Sequence, residues 1–312
     1  MGSDRLRVSR RALLAAAPAM LCGQAAASAA AADEKKGTTK LKVAIFSKHL
    51  QFLEGEKLAQ GAADLGFDAV DITVRKGGHV APERVKQDLP PLVASIRKHG
   101  LEVPMITTDI VDTTTVNTTE ILATMESLGI RYYRWGGYKW ASGKPYTAQL
   151  EEMKPRMAKL AEWNARHHVC AMYHTHSGAG LVGASIWDLH ILLKDLDPNA
   201  VGVNYDAAHA VIEGGLGGWI NSFYITGPHL RGIAVKDFVW AKDAKGGWKE
   251  EWVPFGEGMV QAPKFFGMVA TVKFAGPLQM HFEYPLTTPE EHYQAMRRDL
   301  AKLRGYLAGA GL

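Results

Sequence analysis

From Leu41 onward the chain repeats one unit: a short apolar run rich in β-branched residues, a turn, then an amphipathic stretch. Strands are expected at 42–46, 69–74, 102–107, 131–135, 169–174, 201–205, 232–235 and 278–283. Helices are expected near 54–65, 82–99, 118–129, 147–167, 185–194, 214–225, 262–270 and 288–308. Strict alternation of this kind specifies an α/β fold with a parallel sheet. Eight repeats in about 270 residues match a (β/α)8 TIM barrel, which typically needs ~250. The competing doubly wound sheet binds phosphate on a Gly-rich turn after its first strand. Here that turn reads Phe46-Ser47-Lys48-His49, so the barrel is preferred. No composition shift interrupts residues 41–312, which are read as a single domain.

The segment before the barrel has a different character. Ser9-Arg10-Arg11-Ala12-Leu13-Leu14 leads into Ala-rich sequence ending in small-residue sites such as Ala27-Ser28-Ala29. A twin arginine before a modest apolar run reads as a twin-arginine export signal over 1–31, followed by a linker at 32–40. Pro18, Gly23 and Gln24 interrupt the run, which falls short of the ~20 apolar residues of a membrane span. A periplasmic location is therefore expected, with the export machinery as a transient partner and no stable membrane anchor. Homo-oligomerisation is left open.

The formal net charge of +4 is concentrated in this segment. Four arginines against Asp4 lie before residue 32, which leaves 32 basic and 31 acidic residues in the remainder. A near-neutral body lacks the charge needed to track a phosphate backbone, so nucleic acid is excluded as a partner. Two cysteines, Cys22 and Cys170, exclude a disulfide scaffold and a Cys-rich zinc module.

A barrel places its chemistry at the C-terminal ends of its strands. Six of the 12 histidines fall at or near such ends: His49, His79, His174, His176, His209 and His281. Side chains alternate along a strand, so His174 and His176 share a face. The sixth strand ends in Asp206, whose charge must find a partner if it is buried. A divalent cation, a nearby Lys or Arg, or a helix N-terminus that Asp206 caps would each serve. Lys236 follows the seventh strand on the face of Ala234, and Glu283 ends the eighth on the face of His281. Lys48, His49, Arg75, His79, Asp109, Arg134, Trp135 and Tyr138 lie in the early strand-to-helix loops and are expected to contact substrate, the two aromatics by stacking on a sugar ring. Pro254-Phe255-Gly256-Glu257-Gly258 lies in the long connection after the seventh strand and is expected to cover the mouth.

These residues together resemble the sugar phosphate isomerase/epimerase family, the xylose isomerase-like TIM barrels, over about residues 41–308. The resemblance is carried by Asp206-x-x-His209, Val235-Lys236-Asp237, Pro254-Phe255-Gly256-Glu257-Gly258, Glu283 and Tyr173-His174-Thr175-His176. It implies one divalent ion, manganese, magnesium, cobalt or zinc, held by a Glu, an Asp, a His and a second Glu from strands five to eight. Asp206 and Glu283 match that set. His174 replaces the strand-five Glu, and Ala234 stands where the strand-seven His is usual. His174 is thus the first choice among the histidines to complete the metal set, with His176 and His209 next.

With a single family-matched glutamate, epimerisation between two opposed carboxylates is disfavoured. One carboxylate base, a metal Lewis acid and a His or Lys acid suit an isomerase or lyase. The expected activity is proton abstraction next to a carbonyl of a sugar, cyclitol or keto-glycoside. Glu283 is the expected base, its pKa raised by burial, and Lys236 the acid, with His176 and His209 as alternatives. A metal-dependent hydrolase of a glycoside or ester, or a non-catalytic carbohydrate-binding barrel, are the competing readings.

Overall fold

A computed structural model describes residues 40–312; the expected export signal and nearly all of the linker lie outside them. Eight parallel strands close into a barrel in the order β1-β10-β7-β6-β5-β4-β3-β2. They are β1 (Val43–Phe46), β2 (Ala69–Val74), β3 (Met105–Thr108), β4 (Tyr132–Trp135), β5 (Cys170–His174), β6 (Val201–Asp206), β7 (Leu230–Val235) and β10 (Leu278–Met280). This is the (β/α)8 barrel expected from the alternation. β8 (Asp237–Lys242) and β9 (Trp248–Val253) form a separate antiparallel hairpin.

The helices are α1 (Gly55–Leu65), α2 (Val85–Lys98), α3 (Thr118–Leu128), α4 (Tyr146–Arg166), α5 (Ile186–Leu193), α6 (Ala207–Gly214), α7 (Gly218–Thr226), α8 (Ala262–Thr271) and α9 (Pro289–Gly309). Their apolar faces cover the outward residues of the strands in one continuous core. The start of α9 is set locally. Thr288 and Glu291 form a reciprocal capping box, and Pro289 occupies the first turn, where its missing N–H costs nothing. Among the described residues, no helix is long and apolar enough to cross a membrane.

Three elements differ from expectation. The eighth strand pairs only to Met280, so His281 and Glu283 stand on irregular backbone beyond the sheet. The sixth helical region is two helices, because α6 starts directly on Asp206 and the glycine-rich stretch 214–218 ends it. The connection after β7 folds into the β8–β9 hairpin. Its signal was present as Phe238, Trp240, Trp248 and Trp252 around Lys245-Gly246-Gly247, with Gly246 at φ +81°.

The interior of the barrel is layered. Met105, Cys170 and Met172 pack against Tyr132 as an apolar floor. Above it the inward positions turn polar, with Asp71, Thr107, Asn204 and Gln279 all buried. A polar layer beneath the C-terminal ends of the strands gives this barrel a chemically equipped mouth.

Candidate active site

Asp206 organises the mouth. It is the last residue of β6 and fully buried. Its Oδ1 accepts from the backbone N–H groups of Ala208 and His209 at 3.1 and 3.2 Å, capping α6. One oxygen thus caps the helix, as one of the expected roles required, and the other is turned towards His174 and Lys236. Oδ2 lies 3.5 Å from His174 Nε2 and 3.5 Å from Lys236 Nζ, yet it accepts no hydrogen bond. Burial opposes its charge, but Lys236 and the neighbouring histidines outweigh that and hold the carboxyl well below its ordinary range.

His174 and His281 complete the group. Ligand atoms of His174, Asp206 and His281 all lie within 4.8 Å of one another, with all three residues buried. His281 Nδ1 also has no hydrogen-bond partner. Burial holds both imidazoles well below their ordinary value, so they are neutral near pH 7, as metal ligation requires. Two orphaned donor atoms in a buried His/His/carboxylate set fit a divalent cation, because such atoms are costly unless something binds them. His174 Nδ1 lies 3.0 Å from the Asn204 side-chain amide, and register pairs the two residues across β5 and β6. The Asn204 Nδ2–H group donates to Nδ1, which fixes the orientation of the ring. Gly232 makes room for this amide, since a Cβ there would lie 2.8 Å from Asn204 Oδ1.

The candidate metal group differs in part from the expected one. His174 and Asp206 are in it; Glu283 and His209 are not, and His281 takes a place the sequence reading left unassigned. His281 shares the inward face of Gln279 and Glu283, and that parity was the available signal. Glu283 stands farther out, 3.6 Å from Lys48 Nζ. Its pKa also departs from expectation. Burial raises it, but Lys236, Lys48 and His49 prevail and hold it below the ordinary glutamate value. His209 is engaged on both nitrogens: Nδ1 lies 2.9 Å from Ser177 Oγ and Nε2 lies 2.9 Å from Lys236 Nζ. Burial lowers its pKa to about 4, so the lysine donates to a neutral ring.

Lys236 is buried, as its parity with Ala234 implied, and its ammonium also lies 4.3 Å from the centre of the Trp252 ring. Trp252 comes from β9, so the hairpin supplies the aromatic wall here. The 254–258 segment, expected to cover the mouth, is instead bound to Asp237. The Asp237 carboxylate accepts from the N–H groups of Phe238, Gly256, Gly258 and Val260. A Cβ at Gly258 would lie 2.3 Å from Asp237 Oδ1, which accounts for that glycine.

The mouth encloses a cavity of about 180 Å³. Lys48, Arg75, Arg134, His176, Lys236 and Glu283 line it together with His174, His209 and His281. The other expected substrate contacts are placed elsewhere. His49 is buried behind the wall, where Nε2 accepts from the Phe282 N–H at 3.1 Å. His79 bonds Thr73 Oγ1 and the Leu53 carbonyl. Asp109 is exposed and outside the cavity. Trp135 and Tyr138 are buried in the core, both donating to the Val111 carbonyl, so neither ring is available to stack on a sugar. Arg134 points inward on β4, and its neighbour Trp135 must point outward.

The family model described as the xylose isomerase-like TIM barrel matches residues 59–304. The chain belongs to this family. No curated protein matches it by sequence. Among solved structures, this xylose isomerase-like barrel is similar to a D-tagatose 3-epimerase-like protein. That match has TM-score 0.67 and 14% identity, covering 86% of this chain and 98% of the other. It is also similar to the 3-keto-D-glucoside 4-epimerase of E. coli, with TM-score 0.64 and 14% identity over 85% and 100% of the two chains. A third is described as the "probable 3-DHS dehydratase" from Bacillus anthracis, with TM-score 0.65 and 15% identity over 85% and 99%. At these identities the likeness bears on the fold.

Proposed function

We propose that this xylose isomerase-like barrel is a divalent-metal-dependent isomerase, epimerase or lyase. It acts on a sugar, cyclitol or keto-glycoside by abstracting a proton next to a carbonyl. The carrying observation is the buried His174/Asp206/His281 group, with two orphaned ligand atoms, opening on a cavity that also presents Lys236 and Glu283. Structural neighbours described as sugar epimerases and a dehydratase support the same class.

His174, Asp206 and His281 would hold the ion, which when bound supplies a Lewis acid for a carbonyl oxygen. The remaining work falls to the chain's own groups. Glu283 is the carboxylate that lines the cavity, and it takes the proton. Lys48 and Lys236 keep it ionised near neutrality, which sets the base form at some cost in base strength. Lys236 donates to the developing oxyanion or returns a proton. His209 and Ser177 hold the lysine in place through two successive hydrogen bonds. Trp252 closes the ammonium off from water. With one carboxylate rather than two opposed ones, elimination or one-base isomerisation fits better than two-base epimerisation.

The test combines metal analysis with turnover on a panel of keto-sugars and keto-glycosides. Wild-type chain is expected to carry about one divalent ion, and Asp206→Ala and His281→Ala to lose most of it. Glu283→Gln is expected to retain metal and lose roughly two to four powers of ten in rate. Full occupancy in both metal variants sinks the site. We also propose, from Arg10-Arg11 and the Ala-rich stretch after them, that the mature chain is periplasmic. Replacing both arginines by lysine is expected to leave the precursor in the cytoplasm, and normal export would overturn this.

A further inference from the structure

The β2 and β4 side of the mouth carries two guanidinium groups that the mechanism above does not use. Arg75 follows β2 and Arg134 sits on β4; both line the cavity. Their Cζ atoms lie 5.6 and 5.8 Å from the centre of the same Phe46 ring. The cavity lysines have carboxylate partners, Lys48 with Glu283 and Lys236 with Asp206. Among the described residues neither arginine has one within ion-pair distance. Arg134 reaches His176 Nε2 at 3.1 Å, an imidazole rather than a carboxylate.

Asp71, in the layer beneath, acts on Arg134 more strongly than the other nearby acids, Asp206 and Glu283. Both of its oxygens accept from Thr107, and burial pushes its carboxyl up to about 7. It is therefore a weak counter-ion for two full positive charges. Two guanidinium groups drawn to the same ring in one cavity repel each other, and an anion bound to both removes that repulsion. Guanidinium forks match the paired oxygens of a carboxylate or phosphate, and arginine is less heavily hydrated than lysine in such a site.

We infer that the substrate is an acidic sugar, whose oxyanion group is held by Arg75 and Arg134 while its carbonyl end faces His174, Asp206 and His281. This rests on reading the cavity as the active site and narrows the substrate class. A neutral sugar would leave both arginines unmatched. An acidic one neutralises them and fixes which end of the molecule meets Lys236 and Glu283.

Titration calorimetry on the full chain tests this with three probes: D-glucuronate, D-glucose 6-phosphate and D-glucose. Each is measured with a saturating divalent ion and again in excess chelator. Wild-type chain is expected to bind one of the two acids at least tenfold more tightly than glucose in both conditions. Whichever acid binds more tightly identifies carboxylate or phosphate. Arg75→Gln is expected to weaken that acid roughly ten- to a hundredfold, the usual value of a charge-assisted contact, while leaving glucose binding and metal content unchanged. Arg134→Lys, which keeps the charge and removes the fork, is expected to lose a smaller part of the preference. Equal affinity for acid and glucose, no binding of either acid, or an Arg75→Gln effect shared by glucose would each overturn the inference. A preference that vanishes with chelator and survives Arg75→Gln belongs to the metal; it overturns this inference and leaves the metal reading standing. An acid preference in a chain that binds no metal does the reverse.

Discussion

On the β5, β6, β7 and β10 side of the mouth, the inward residues are His174, Asp206, Lys236 and His281, each at or just beyond a strand end. All four are buried; His174 and Lys236 each lie 3.5 Å from Asp206, Lys236 lies 2.9 Å from His209, and ligand atoms of His281 fall within 4.8 Å of those of His174 and Asp206. On the β2 to β4 side, the inward residues are Asp71, Thr107 and Arg134, and the charged groups there lack partners of opposite sign within ion-pair distance. The aromatic and polar residues that loop composition recommended on that side, Trp135, Tyr138, His79 and Asp109, serve the core or the surface. The first half is organised by a carboxylate that Lys236 and His174 share. The second is organised by packing, with two arginines left facing the cavity. What separates a site residue from a scaffold residue in this molecule is which face of the strand it occupies, more than how reactive its side chain is.

The largest expected effect tests the scaffold side of that distinction. Trp135 is 1% exposed and packs edge-on against Tyr138 and Tyr173. Trp135→Ala is expected to destabilise the chain by about 3–5 kcal/mol, read from the denaturant midpoint, while metal content and sugar affinity of the folded fraction stay unchanged. Selective loss of sugar binding at unchanged stability would return Trp135 to the site.

Asp71 gives the next effect, and its sign follows from burial. Its folded pKa, about 7, lies above the ordinary value of 3.8. The protonated carboxyl is therefore the favoured form in the folded chain. Its contribution to stability is fully present below about pH 4 and is lost as pH rises through about 7. From the roughly three pKa units involved, the loss is at most about 4 kcal/mol. Asp71→Asn is expected to remove this slope from melting temperature against pH between 4 and 7. An unchanged slope would mean that Asp71 ionises freely and does pair with the arginines.

The smallest effect concerns positioning on the metal side. Asn204→Ala removes the amide that holds His174 Nδ1. Metal affinity is expected to fall by about 10- to 100-fold, the usual cost of losing such a support, with the fold retained. A shift in the d–d spectrum of the cobalt-loaded chain would register the change at His174 independently of turnover. Unaltered affinity and spectrum would show that His174 needs no orienting partner.

Much of this was legible in the linear pattern. Eight alternations of β-branched runs with amphipathic stretches determined the barrel, because a parallel sheet needs a crossover after each strand and eight such units close on themselves. Asp206, His174 and Lys236 were legible because strand parity and a terminal carboxylate constrain them locally. The β8–β9 hairpin reads in the sequence only as a long connection, although aromatics flanking a glycine turn carry its signal, and its role as the wall over Lys236 has no local signal.

Three things were decided only by the tertiary structure. Whether His281 or Glu283 joins His174 and Asp206 depends on how far β10 continues its pairing, and it ends at Met280. The balance at Glu283 depends on Lys48 and Lys236, which are distant in sequence and add their charges only when the barrel closes. Arg75 and Arg134 meet over Phe46 because β1, β2 and β4 converge at one end. Local pattern determines which elements form and which face each residue takes, since those depend on sterics and periodicity along the chain. Partnerships between charges depend on distances through space, and those are set only once all eight strands are in register.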